Sequence, residues 1–218
     1  MIIAVAGTVG GIGRTTTALG LATAATAAGA DVVVVDGDPQ HDGDAAARGI
    51  TALAQMLGHQ PPLRVLSLTA DETIRWAAGQ GSATQVSTLD LPGFNQQSVL
   101  AVAHAVVVPV PEGDMRTIGS LLPLRFRMVT AESGAPVFVL VHSVQDVSGG
   151  PDDTWRVALS GLGVQPLDSR LPYSTRIAQA ARSPWSSDWT ALAEEYAPVW
   201  AELRSRLGLA DAPAAVGP

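Results

Sequence analysis

Four glycines lie in the short segment after the first apolar run, and this segment is the most specific chemical motif in the chain. It reads Gly7-Thr8-Val9-Gly10-Gly11-Ile12-Gly13-Arg14-Thr15-Thr16 and joins a predicted strand to a predicted helix. Glycines let the backbone turn tightly and aim its N–H groups at a phosphate, and the positive end of the helix dipole lies at the same point. A threonine at the start of that helix can bind magnesium. The pattern predicts a phosphate-binding loop in preference to a plain strand-to-helix turn.

Two acidic motifs follow later strands. Asp36-Gly37-Asp38-Pro39-Gln40 comes after four consecutive valines, and Leu89-Asp90-Leu91-Pro92-Gly93 comes after a weaker apolar run. Carboxylates near a phosphate loop need a counter-ion, which magnesium can supply, and a strand-terminal Asp can hold that ion through water. The plainer alternative for the first motif is an acidic turn punctuated by proline.

Apolar runs and helical patterns alternate along the chain. We expect strands at 2–6, 32–35, 63–68, 85–89, 105–110, 136–141 and 164–167, and helices at 14–28, 70–78, 95–104, 113–132, 151–162, 174–181 and 186–207. This alternation predicts an α/β fold, a single-domain doubly wound and mostly parallel sheet flanked by helices. Ligands bind such sheets at the carboxyl ends of the strands. We expect one domain over residues 1–208, a disordered tail over 209–218, and a kink or break where Pro123 and Pro198 interrupt helices.

The amino-acid composition excludes several classes of protein. The chain has 218 residues, of which 47% are hydrophobic and 15% charged, typical of a compact globular protein. The lack of cysteine excludes disulfides and thiolate metal sites. No secretory pattern is visible and no apolar run approaches the ~20 residues that span a bilayer, so we expect a cytoplasmic protein without a membrane partner.

Charge bears on nucleic-acid binding. The net charge of −7 opposes general binding to a polyanion, so DNA binding would need a local basic patch. All 13 basic residues are arginine, and five of them fall toward the C-terminus: Arg170, Arg176, Arg182, Arg204 and Arg206. A non-specific DNA surface and scattered solvated arginines are equally good interpretations.

Two phosphate-binding families compete for the glycine-rich loop. The spacing of Gly7, Gly11 and Gly13 resembles that of the short-chain dehydrogenases, in which Arg14 would suit the phosphate of NADP. That family works through a Tyr-x-x-x-Lys pair, and this chain has no lysine. The dehydrogenase chemistry therefore lacks its central residues.

The motifs taken together resemble the ParA/MinD family of deviant Walker A partition ATPases, above all the compact ParA-like proteins of the ParF type. Residues 9–16 match the loop Lys-Gly-Gly-x-Gly-Lys-Thr-Thr, and 36–40 and 89–93 match the family's acidic segments. Two further matches are the strand Val106-Val107-Val108-Pro109-Val110-Pro111 and the segment Leu171-Pro172-Tyr173-Ser174-Thr175-Arg176-Ile177-Ala178-Gln179-Ala180. All five occur in family order within residues 1–184.

The resemblance implies a role for each matching position. Gly10, Gly11, Ile12 and Gly13 would cradle the phosphates of ATP, with Arg14 as the loop cation. Thr15 would bind Mg²⁺ and Thr16 the α-phosphate, while Asp36 and Asp90 would hold Mg²⁺ through water. Asp38 would orient the attacking water, Gly93 would approach the γ-phosphate and Pro172 would pack near the adenine. The family also implies an ATP-driven homodimer, a ParB-like or cargo adaptor partner, and DNA binding without sequence preference.

The loop departs from the family at both lysines. Val9 replaces the lysine that reaches across the dimer, and Arg14 replaces the lysine of the loop itself. Arginine is bulkier than lysine and forks onto two oxygens, so we expect binding to survive better than catalysis. Three hypotheses follow: a slow or partner-dependent positioning ATPase, an ATP-binding switch that barely hydrolyses, and an NADP-dependent oxidoreductase.

Overall fold

The computed structural model describes residues 1–7, 9–37, 63–79, 86–90, 97–130, 132–143, 159, 161–175 and 189–209. These residues form one seven-stranded sheet in the order β3-β2-β4-β1-β5-β6-β7, and every strand pair in it is parallel. The strands are β1 Ile2–Val5, β2 Val32–Asp36, β3 Arg64–Ser67, β4 Val86–Asp90, β5 Ala105–Pro111, β6 Val137–His142 and β7 Gln165–Pro166. The predicted parallel α/β sheet is confirmed, with each predicted strand at its expected place.

Five helices of the described ranges accompany the sheet. They are α1 Arg14–Ala27, α2 Ala70–Gly79, α3 Gln97–Leu100, α4 Met115–Thr130 and α5 Trp189–Arg206. Alternate residues of β1 show how the layers form. Ile3 and Val5 join a buried cluster with α1 and α5, whereas Ile2 and Ala4 join a cluster with α2, α3 and α4. The central part of the sheet is thus covered on both faces, which is why β2 and β5 read as continuous valine-rich runs.

The helix expected at 95–104 is shorter than its sequence pattern. The helix α3 ends at Leu100, and the chain turns before His104, whose backbone N–H donates to the Ile2 carbonyl oxygen (2.9 Å). The chain has to leave the helix here because it enters β5 beside β1.

The last helix is not divided at its proline. It runs from Trp189 to Arg206 with Pro198 inside it. Val199, Trp200 and Leu203 are buried against the α1 side of the sheet, so packing on the C-terminal side of the proline keeps the helix continuous at this point.

Helices α1 and α5 meet at a glycine. A Cβ on Gly20 would overlap the ring of Tyr196, so the absence of a side chain lets the two helices approach closely. Tyr196 is fully buried, and its hydroxyl shares a 3.3 Å hydrogen bond with the Thr17 hydroxyl. The helix that follows the glycine-rich loop is therefore fixed from behind by the C-terminal helix.

Candidate nucleotide-binding site

The glycine-rich loop lies at the carboxyl edge of the sheet, between the end of β1 and the start of α1. Gly11 and Gly13 have left-handed φ angles of 73° and 86°, a conformation that favours glycine. Gly13 is the N-cap of α1, and its carbonyl accepts the Thr17 N–H (2.9 Å). Gly10 and Gly11 are exposed, with open space where a Cβ would lie. The exposed backbone at the positive end of a helix is suited to an anion.

The loop is also packed against itself. The Ile12 side chain is only 2% exposed, and a Cβ on Gly7 would come within 2.5 Å of its Cδ1 atom. The end of the Ile12 side chain therefore packs closely over Gly7. Arg14 is half-buried and its Nη1 donates to the Gly7 carbonyl oxygen (3.2 Å), so the guanidinium spans the base of the loop.

The threonines of the motif follow Arg14 at the start of α1. Thr15 and Thr16 lie half-buried in the first turn of α1, which contains no acidic residue. The first N–H groups of a helix have no partner within it, and the absence of a carboxylate leaves the positive field of this turn uncancelled. This first turn has the donor chemistry that a phosphate requires.

The two predicted acidic strand ends meet beside the loop. Asp36 ends β2 and aligns with Asp90, which ends β4; Asp90 in turn aligns with Val5 at the end of β1. The Asp36 side chain is completely buried. Three neighbouring strands therefore bring Asp36, the backbone of Asp90 and the loop to one edge. Among the described residues no group of three or more His, Cys, Asp or Glu is arranged to hold a metal ion.

Of the remaining predicted site residues, only Pro172 lies within the part of the chain that the structure describes. Asp38 and Gly93 lie outside the described residues. Pro172 is exposed and follows Leu171, whose N–H donates to the Val141 carbonyl oxygen (3.0 Å) and whose carbonyl accepts the Ser143 N–H (3.0 Å). These bonds place Pro172 at the carboxyl edge, next to the end of β6. Its contact with adenine stays a prediction.

A histidine that the motifs did not single out also reaches the loop. His142 ends β6, and its Nε2 lies 3.0 Å from the Ile12 carbonyl oxygen. Burial lowers the pKa of His142, and the hydrogen bond to Ile12 opposes that shift. The only sequence signal was its position immediately after a predicted strand.

The sequence motifs also did not indicate a network of polar side chains that connects the carboxyl ends of β5 and β6. The Ser143 hydroxyl donates to Glu112 Oε2 (2.8 Å), and Arg170 Nη1 lies 3.9 Å from Glu112 Oε1. The Glu112 N–H also donates to the His142 carbonyl oxygen (2.9 Å). This network fixes the carboxyl ends of β5 and β6 relative to the segment that leads to Pro172.

Comparison with known proteins identifies the family. The CobQ/CobB/MinD/ParA nucleotide binding domain matches residues 3–149, well over half of the chain. The chain belongs to this family. It is a ParA/MinD-like nucleotide-binding protein, as the motifs predicted. A search of the curated proteins found no match.

Solved structures agree with this ParA/MinD assignment at the level of the fold. The septum site-determining protein MinD from Pyrococcus horikoshii, complexed with Mg-ADP, is 15% identical, with a TM-score of 0.63 over 91% of this chain and 96% of that chain. A putative plasmid partition protein from Borrelia burgdorferi, bound to AMPPNP, is 15% identical, with a TM-score of 0.58 over 91% and 98%. The MinC:MinD cell division complex from Aquifex aeolicus gives 14% identity and a TM-score of 0.63 over 97% of both chains.

Two of the C-terminal arginines that the structure describes are paired with acidic residues. Arg206 pairs with Asp168 (3.1 Å) and Glu202, and Arg170 pairs with Glu112. Arg176 and Arg182 lie outside the described residues. Acidic partners offset part of the charge that DNA would need, so DNA binding by this ParA/MinD relative stays a prediction. None of the helices in the described ranges combines the length and apolar character needed to cross a bilayer.

Proposed function

We propose that this chain is a ParA-like ATP-binding protein that partitions plasmid or chromosomal DNA, or positions another cargo, in the cytoplasm. In this proposal Mg-ATP binding drives formation of a homodimer, and hydrolysis is weak or depends on a ParB-like or cargo adaptor partner. The observation that carries it is the meeting of an exposed glycine loop, a helix N-terminus and the buried Asp36 at one edge of the sheet. The loop suits the phosphates, and the carboxylate suits their counter-ion.

The binding roles follow from position in the site. Backbone N–H groups of 10–13 would hold the phosphate oxygens, since this stretch leads into α1 and Gly10 and Gly11 are exposed. Thr15 would bind the magnesium ion directly, and Thr16 would donate to the α-phosphate. Asp36 and the strand-terminal Asp90 would hold the ion through water. When bound, the ion neutralises the charge of the phosphates and orients them.

Other residues would contact the adenine, the γ-phosphate and the attacking water. Pro172 would pack against the base, because it lies exposed at the carboxyl edge beyond His142 and Leu171. Gly93 would bring its N–H close to the γ-phosphate, and Asp38 would orient the attacking water. These last two roles are carried over from the family motif alone.

The loop side chains favour binding over hydrolysis. To reach a phosphate with its whole fork, Arg14 has to give up its bond to the Gly7 carbonyl. Val9 is half-buried and aliphatic, so position 9 supplies no cation to a second protomer. Charge at the transferring phosphate is the main catalytic requirement of phosphoryl transfer. The same two residues support the second candidate, an ATP-dependent switch that barely hydrolyses.

Three proteins of similar fold support the proposal. Their solved forms include MinD with Mg-ADP, a partition protein with AMPPNP, and MinD with its partner MinC. An NADP-dependent oxidoreductase, the remaining alternative, has neither a lysine for its catalytic pair nor support from these relatives.

Calorimetry tests the proposal. The wild-type protein should bind ATP and ADP more tightly with Mg²⁺ than without it, and should bind NADP weakly or not at all. Thr15→Val replaces the hydroxyl that would bind the ion by a methyl group, so the gain in nucleotide affinity from Mg²⁺ should be lost. Thr26→Val makes the same change at the far, buried end of α1 and should keep the gain. Tight NADP binding without ATP binding would overturn the proposed function.

A further inference from the structure

We propose that His142 is a positioning residue that holds the phosphate loop in its binding conformation, an inference that rests on the nucleotide-binding function proposed above. His142 ends β6, which is separated from β1 by β5 in the sheet. The loop that follows β1 therefore leans across the end of β5 to bring the Ile12 carbonyl oxygen within 3.0 Å of His142 Nε2.

The direction of this hydrogen bond follows from its acceptor. A carbonyl oxygen can only accept, so Nε2 of His142 has to carry the proton. Both the neutral ring with this tautomer and the doubly protonated ring can donate from Nε2. The contact therefore holds whichever of these two forms is present, and it acts as a mechanical support for the loop.

The bond sets the orientation of one peptide group of the loop. A trans peptide directs its C=O and N–H to opposite sides. Fixing the Ile12 carbonyl toward β6 therefore directs the Gly13 N–H away from β6, back across the loop. The buried Ile12 side chain anchors the same residue against Gly7. Ile12 is held at two points, and one donor of the proposed phosphate cradle is held with it.

The backbone of His142, the donor residue, is held on both sides. The His142 carbonyl accepts the Glu112 N–H (2.9 Å) on one side, and Leu171 bridges to His142 on the other. Its ring also lies close to Gly13, because a Cβ there would be 3.7 Å from Nε2. A group fixed by the sheet loses little freedom when it holds the loop, which is what a positioning residue requires.

Hydrogen exchange and Mg-ADP calorimetry on a set of full-length variants test the inference. His142→Leu removes the donor, His142→Gln keeps an N–H donor at a similar reach, and His142→Met is a second donor-free variant in case the leucine variant does not fold. His104→Leu is the matched control, because His104 Nδ1 accepts the Ile2 N–H (3.1 Å) at the amino end of β1, remote from the loop.

The donor-free variants should exchange amide hydrogens faster across residues 7–17 and bind Mg-ADP about threefold to tenfold more weakly, the range expected for one net hydrogen bond. His142→Gln should restore both properties, and His104→Leu should change neither. Unchanged loop exchange in the donor-free variants, or a glutamine variant as impaired as the leucine variant, would overturn the inference. Failure of the wild type to bind Mg-ADP would instead count against the proposed function, while the exchange data would still decide the role of His142.

Discussion

Restoring the two missing lysines should raise the rate of ATP hydrolysis. A cation placed where charge develops in a transition state is worth about 10²- to 10³-fold in rate, and position 9 offers none because it is valine. Val9→Lys should therefore raise turnover at least tenfold, provided that the proposed dimer forms. The structure predicts a smaller increase in turnover for Arg14→Lys.

The size of the increase expected for Arg14→Lys follows from the hydrogen bond between Arg14 and the Gly7 carbonyl oxygen. Hydrogen bonds from charged donors contribute about 1.5–3 kcal/mol, and for this half-exposed side chain we take about 1 kcal/mol. Releasing the bond then reduces the competent population about fivefold, so Arg14→Lys should gain about that factor if lysine leaves Gly7 free. The two gains should multiply unless the positions are coupled.

Phosphate release at saturating Mg-ATP measures these effects in the wild type, both single variants and the double variant. Val9→Met is the matched control, since it adds length without charge and should leave the rate unchanged. Asp38→Ala should abolish the turnover that exists. A fast wild type that is slowed by restoring the lysines would show that Arg14 or another arginine has taken over the catalytic role, and would refute this account of the site.

Other predictions concern packing, pH and DNA. Gly20→Ala should destabilise the fold by about 1–3 kcal/mol, because the new methyl overlaps the Tyr196 ring, whereas Gly119→Ala, at an open helical position, should be neutral or stabilising in thermal melts. Burial and the N-terminus lower the pKa of His104 below its ordinary 6.5, so its contribution to stability should be complete above that pH and decline as the pH falls through the lower folded-state pKa. Denaturation from pH 8 to 5 should show a weaker pH dependence in His104→Leu; an identical profile would contradict this. Binding of a non-specific DNA duplex should require ATP and weaken steeply with salt, and salt-insensitive binding would remove DNA from the partners.

Much of the site could be predicted from the sequence because its signals are local. The valine run at 32–35 reads as a buried strand in any context, and Asp36 at its end has to lie at the carboxyl edge of a parallel sheet. The glycines between β1 and α1 predicted the turn, and two of them adopt the left-handed angles that favour glycine. Residues within about ten positions of one another determine these features, so the sequence alone was sufficient.

Contacts between distant segments depended on the tertiary structure. The Ile12–His142 bond spans 130 residues and the Thr17–Tyr196 bond spans 179; no spacing in the sequence indicates either of them. The strand order also places β4 between β1 and β2. As a result Asp90, the last residue of β4, lies beside Asp36, the last residue of β2. The sequence by itself predicted which residues would bind a phosphate and a metal ion. The packing of sheet and helices decided which of them meet, because that choice depends on burying both faces of the sheet at once.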